Sequence, residues 1–138
     1  MALVLALSLY KSSITAKPLS VAQRHWEAIA TADPELLVSR YSDNAVLERS
    51  YAVADMDKTY QGSSIYSAWR EFFEQYQIKE FRVVEKKQRD RAVEAEIQIT
   101  AKANAGSIVT LSISYEVLFD RAGKIIKEVW QAHPEVSV

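Results

Sequence analysis

Apolar and polar residues alternate with a period of two over most of the C-terminal half of the chain. Leu111, Ile113, Tyr115, Val117 and Phe119 interleave with Ser112, Ser114, Glu116 and a lone apolar Leu118. That period marks a strand with one apolar and one largely polar face. Asp120-Arg121-Ala122-Gly123 reads as a hairpin turn, with Gly123 free to take positive φ, and the return strand is Lys124 to Gln131. Upstream, Val93, Ala95, Ile97, Ile99 and Ala101 oppose Glu94, Glu96, Gln98 and Thr100 along a strand from Ala92 to Ala103. Lys79 to Gln88 is a further strand, closed by a charged turn at Arg89-Asp90, and Asn104-Ala105-Gly106 turns into the last hairpin.

The N-terminal half follows a helical period. Ser20 and Gln23 have the spacing of a capping box. The helix expected from there to about Ala32 carries Ala22, Trp26, Ile29 and Ala30 on one face, and His25 falls on that face too. Asp33-Pro34-Glu35 supplies an N-cap, a first-turn proline and an early carboxylate for a second helix bearing Leu36, Leu37 and Tyr41, broken at Ser42-Asp43-Asn44. Ala45 to Val53 reads as a strand, with Val46, Glu48 and Ser50 on one face and Leu47, Arg49 and Tyr51 on the other. Asp55 to Tyr60 reads as a loop. Gly62-Ser63-Ser64 then leads into a third helix with the stripe Ile65, Ala68, Trp69, Phe72, Phe73 and Tyr76.

The order is helix, helix, strand, helix, then a meander of strands. A sheet with one apolar face must cover it, and the helices are the only candidates. The expected fold is α+β: a curved antiparallel sheet wrapped around three N-terminal-half helices, a cone-shaped barrel with the third helix across its concave side. Residues 1–18 form a leader or extra element, and residues 19–138 a single domain.

A length of 138 residues suits one domain. The net charge of −1 speaks against a nucleic-acid partner. The chain has no cysteine, which removes disulfides, thiolate metal sites and cysteine nucleophiles. With only three glycines and no P-loop or dinucleotide fingerprint, phosphate-cradling loops are not expected. Only two histidines are present, far apart, so no metal and no cofactor is expected, although Asp55 and Asp57 share a loop. Lys86, Lys87, Arg89 and Arg91 are interleaved with Glu85 and Asp90, as in a solvated hairpin. Ala2 to Tyr10 is apolar but shorter than the ~20 residues that span a bilayer. Ser13 to Ala16 could pass as a weak cleavage site, yet no basic residue precedes the apolar run. A cytoplasmic, non-membrane protein is therefore expected, against the competing reading of a signal peptide over residues 1–16.

These segments resemble the nuclear-transport-factor-2-like, or SnoaL-like, superfamily. The helix pair running into "SRYSDNAVLE" is similar to the family opening, "YQGSSIYSAWREFF" to its glycine-then-helix segment, and "FDRAGKIIKEVWQ" to its closing hairpin. The likeness covers roughly residues 19 to 133 and implies the cone fold and a cavity. Ketosteroid isomerases, one member group, allow a residue-by-residue comparison. Their first-strand pattern lines up with Tyr41 to Ser50, and the position of their catalytic base is Arg49, which cannot serve as a base. The position of their oxyanion-hole tyrosine falls on His25, and that of their protonated aspartate on Tyr115. The resemblance thus speaks against steroid isomerisation. The Asp-Arg-Asp constellation of the epoxide-hydrolase relatives has no match here.

Candidate chemistry follows. His25 could act as acid or base near neutral pH, or be a core histidine. Arg49 could bind a carboxylate, pair with Glu128, or reach solvent at the mouth. On β periodicity alone, neither face of Lys124 to Gln131 is favoured; the family hairpin implies that Glu128 and Trp130 face inward. A buried Glu128 could be a replacement base or half of a structural ion pair. Tyr115 could donate to a ligand carbonyl. The catalytic candidates are therefore His25, Glu128 and Tyr115, and the ligand-binding candidates Arg49, Trp130, Tyr51, Trp26 and Trp69. The first reading is a small-molecule-binding domain with a mainly apolar cavity, its ligand apolar with a carbonyl or carboxylate. A proton-transfer enzyme (isomerase, cyclase or dehydratase) and a non-catalytic dimeric interaction domain remain as alternatives. The polar face of Glu94, Glu96, Gln98, Thr100, Ser112, Ser114 and Glu116 is the expected homodimer interface, since such faces pack sheet to sheet in this superfamily.

Overall fold

The computed structural model describes residues 17–51 and 58–134. The leader, Asp55 and Asp57 lie outside the described residues, as does the side chain of Tyr51. Helix α1 spans Pro18–Ala30 and α2 Pro34–Ser39; strand β1 spans Tyr41–Tyr51, β2 Lys58–Gln61, α3 Ser63–Gln75, β3 Tyr76–Arg89, β4 Ala92–Ala103, β5 Ile108–Phe119 and β6 Ile125–Pro134. The fold is α+β: helices cover one face of a curved six-stranded sheet, in the order β2-β1-β6-β5-β4-β3.

The period-two pattern is realised in β4, where Val93, Ala95, Ile97, Ile99 and Ala101 are buried and their neighbours are not. In β5 the buried set is Ile113, Tyr115, Val117 and Phe119. Strand β4 pairs antiparallel with β5 without a register break, Ile97 opposite Ile113. The buried apolar set therefore faces the helices and the polar residues between them the outside, where Leu118 is exposed as well.

Several expectations are corrected. The sheet is mixed: β1 runs parallel to β6, while every other pairing is antiparallel, and the sheet does not close into a barrel. Strand β1 enters the sheet directly from α2, and Ile125 N–H is bonded to Arg40 O at 2.8 Å where the parallel pair begins. The segment read as a loop to Tyr60 ends in a strand, β2, which forms an antiparallel pair with β1, Leu47 opposite Tyr60. Helix α1 begins at Pro18, ahead of its expected cap at Ser20, and Lys17 makes no side-chain cap. Its buried face holds Ala28, whereas Ala30 is exposed. Tyr41 and Tyr76 open strands instead of closing helices. The second helix starts as expected, with the Asp33 carboxylate accepting from Leu36 N.

Among the described residues, no helix is long and apolar enough to cross a membrane. No group of three or more potential metal ligands occurs among them either.

Candidate functional site

Strand β6 carries the decisive irregularity. The β5–β6 register breaks between Leu118 and Phe119, and the β1–β6 register between Tyr41 and Val46. Ile125 and Glu128, three residues apart, are consequently both fully buried. Regular alternation would put them on opposite faces; the bulge lets both turn inward. Beyond it the period is restored, with Trp130 and Ala132 buried and Lys127 and Gln131 exposed.

Glu128 is surrounded by donors from three other elements. His25 on α1 lies with Nε2 at 2.7 Å from Oε2, and the Tyr115 hydroxyl on β5 donates to the same oxygen at 2.5 Å. The Tyr41 hydroxyl, at the start of β1, donates to Oε1. Trp69 on α3 extends the chain, its indole N–H donating to the Tyr41 oxygen at 2.9 Å. A carboxylate only accepts, so the proton between His25 and Glu128 sits on Nε2. Nδ1 of His25 is buried without a partner among the described residues.

Electrostatics agree with this pattern of donors. Burial by itself pushes the Glu128 carboxyl upward; the opposing charge of His25 and the bonds from His25, Tyr115 and Tyr41 outweigh it and hold the group below the usual carboxylate range. Tyr41 and Tyr115 are both held well above the ordinary tyrosine range, first by burial and then by the Glu128 charge. Both are therefore neutral donors, and Glu128 is the one anion of the cluster.

Next to this cluster lies a cavity of about 190 Å³. Ile29, Phe72, Ile99, Leu111 and Ile113 contribute apolar wall, and Arg49, Trp69 and Trp130 also line it. The guanidinium carbon of Arg49 sits 4.7 Å from the Trp69 ring centroid and 5.6 Å from those of Tyr60 and Phe72. Its Nη1 reaches Ala68 O at 3.4 Å, and Nη2 is buried with no partner among the described residues. Arg49 thus does not pair with Glu128; the aromatic faces hold it instead.

The structure divides the predicted site residues into two groups. His25, Glu128 and Tyr115 come together as one hydrogen-bonded cluster, but none of them lines the cavity. Arg49, Trp69 and Trp130 do line it. Trp26 packs edge-on against Tyr115, with centroids 5.7 Å apart, away from the cavity lining. The strand position of Tyr51 is opposite Ala132. Two rings connect the groups: Trp69 touches both Tyr41 and Arg49, and Trp130 packs against Tyr115 with centroids 4.6 Å apart. Tyr41 was missed as a site residue by the sequence reading, which placed it on a helix; its parity with Leu47 and Arg49 along the strand was the available signal.

Solved structures with this architecture are known. An NTF-2 like protein of unknown function from Burkholderia xenovorans LB400 superposes with a TM-score of 0.66 at 17% identity, over 88% of this chain and 86% of that one. The fold is nuclear-transport-factor-2-like. AusH from Aspergillus nidulans matches with a TM-score of 0.71 at 14% identity, over 83% and 82% of the two chains. The BvnE pinacolase from Penicillium brevicompactum matches at 0.68 and 13%, over 85% and 84%. No family model and no curated protein matches the sequence. Identities at this level speak for the nuclear-transport-factor-2-like fold, and the chemistry of this chain has to come from its own residues.

Proposed function

We propose that this nuclear-transport-factor-2-like domain binds a small, mainly apolar molecule carrying a carboxylate or carbonyl, with Arg49 as its polar anchor. The observation that carries this reading is the Arg49 guanidinium, stacked on Trp69 in a mainly apolar cavity, with a buried Nη2 that has no partner among the described residues. A cation in such a place is costly without an acceptor, and a ligand oxygen supplies one. Trp69 and Trp130 complete the polar-capable wall, and Trp26, packed against Tyr115 outside the lining, is given no contact with the ligand. The test is a tryptophan-fluorescence titration with hydrophobic carboxylates against the wild type and Arg49→Met. Binding weakened by about 1.5–3 kcal/mol in the variant is expected, the scale of hydrogen bonds to a charged group. Equal affinity in both proteins would remove Arg49 from the site.

An enzymatic reading has one observation in its favour, the His25–Glu128 bond of 2.7 Å. In it, His25 or Glu128 moves the proton and Tyr115 stabilises the developing oxyanion. All three lie behind the Trp69–Trp130 wall, so that reading also requires the wall to open. His25→Ala abolishing turnover of a candidate substrate would support it.

The outer face of β4 and β5 is the proposed contact with a second copy of the chain. Short hydroxyl side chains lie among its charges, as in the Thr100–Thr110 pair at 3.3 Å and the Ser114–Glu96 bond at 3.2 Å. Lys86 and Lys87 border Glu94, Glu96 and Glu116 there, a mixed surface that can complement itself across a two-fold axis. A cytoplasmic location belongs to the same proposal.

A further inference from the structure

We infer that the cavity selects a compact monocarboxylate, one ring or a short branched chain in size, and that Trp130 is the second donor to its carboxylate beside Arg49. This rests on the reading of the cavity as a small-molecule site.

Arg49 and Trp130 are direct partners in the parallel β1–β6 ladder. Neighbouring strands lie about 4.8 Å apart and in-register residues share a face, so the two side chains leave the sheet side by side. Both line the cavity. Each holds a buried nitrogen with no partner among the described residues, Nη2 of Arg49 and Nε1 of Trp130. Guanidinium and indole nitrogens donate and never accept. The group that satisfies both must accept two hydrogen bonds, and among the described residues no aspartate or glutamate lines the cavity. A carboxylate has two acceptor oxygens and the charge that matches Arg49.

Volume sets the rest of the ligand. A cavity of about 150 Å³ lined by aliphatic and aromatic side chains holds benzene. The 190 Å³ here takes one ring with a short acid-bearing arm, seated against Ile99, Leu111 and Ile113. To be enclosed as benzene is, a fused polycycle needs more room than this. The Trp69 ring, edge-on to Trp130 at 5.7 Å and beneath Arg49 at 4.7 Å, keeps the two donors on one wall.

The experiment uses the full chain labelled with nitrogen-15, with phenylacetate, toluene and 9-anthracenecarboxylate as probes. The three tryptophans give three indole N–H resonances. Phenylacetate is expected to move the Trp130 resonance downfield while toluene does not, and Trp130→Phe is expected to weaken phenylacetate about tenfold without affecting toluene. 9-Anthracenecarboxylate is expected to bind at least about tenfold more weakly than phenylacetate. If Trp130→Phe does not fold, Trp26→Phe and Trp69→Phe assign the wild-type signals by elimination, and the downfield shift decides. Phenylacetate binding with an unmoved Trp130 resonance overturns the second donor. Equal binding of the anthracene acid overturns the size class. Toluene binding without phenylacetate binding overturns the carboxylate while leaving a small-molecule cavity. Binding of none of the three overturns the small-molecule reading itself, and this inference with it.

Discussion

His25 Nε2 and Glu128 Oε2 lie 2.7 Å apart although 103 residues separate them in the chain, and neither side chain touches solvent. This contact ties α1 to β6. A buried pair of this kind is costly to assemble and more costly to break. Glu128→Gln places an amide N–H₂ among three donors. A loss of about 3–5 kcal/mol is expected, the scale for removing one partner of a buried ion pair. Urea denaturation measures it, and a loss below that of an ordinary hydrogen bond would show that the cluster does not hold the fold.

The same group sets a pH dependence. The folded state holds Glu128 below its ordinary range, so the unfolded chain takes up the proton first as pH falls, near about 4.3. The stabilisation from Glu128 is therefore complete above that value and is lost as pH drops through the lower folded value. Urea midpoints from about pH 6 to about pH 3 should fall more steeply for the wild type than for Glu128→Gln. Parallel curves would mean that Glu128 titrates alike in both states.

Tyr41 has two bonds to lose, one to Glu128 and one from the Trp69 indole. Tyr41→Phe should cost about 1–3 kcal/mol. It also frees Trp69, on which Arg49 rests, so carboxylate affinity should fall although Tyr41 does not line the cavity. Unaltered affinity alongside the stability loss would show that Trp69 is held by packing alone. Tyr115→Phe, which removes a bond at the other oxygen, should combine with Tyr41→Phe non-additively, because both donors serve one carboxylate.

Gly62 caps α3 with φ +57 and ψ −129, and a Cβ built there meets nothing within 4 Å. The cost of Gly62→Ala is then backbone strain only, about 1–3 kcal/mol, read from thermal melting. No change would show that the helix start relaxes.

If the outer sheet face covers a second copy, Ser114→Arg puts a long cation into its middle. Sedimentation should shift from dimer to monomer with an unchanged melting curve. An unchanged sedimentation coefficient would move the contact elsewhere.

What the sequence determined by itself was local. The alternation along Ala92–Ala103 and Leu111–Phe119 set both strands and their inward faces, because a period of two has only two possible phases and one was apolar throughout. Asp33-Pro34 set the start of the second helix through a side-chain cap and a fixed φ. Strand β6 was different: each of its phases holds two apolar residues and one charge, so its pattern was degenerate, and only pairing with the inward Tyr115 and Val117 of β5 turned Trp130 and Glu128 inward, the register break then bringing Ile125 to the same face. The parallel β1–β6 pairing, the short β2 and the strand placement of Tyr41 also came from tertiary contacts, since strand partners are chosen by neighbours far away in sequence. The separation of the candidate residues had the same origin. Equally polar side chains became a sealed cluster around Glu128 or part of an open wall at Arg49 and Trp130, according to which side of the Trp69–Trp130 layer the packed elements placed them.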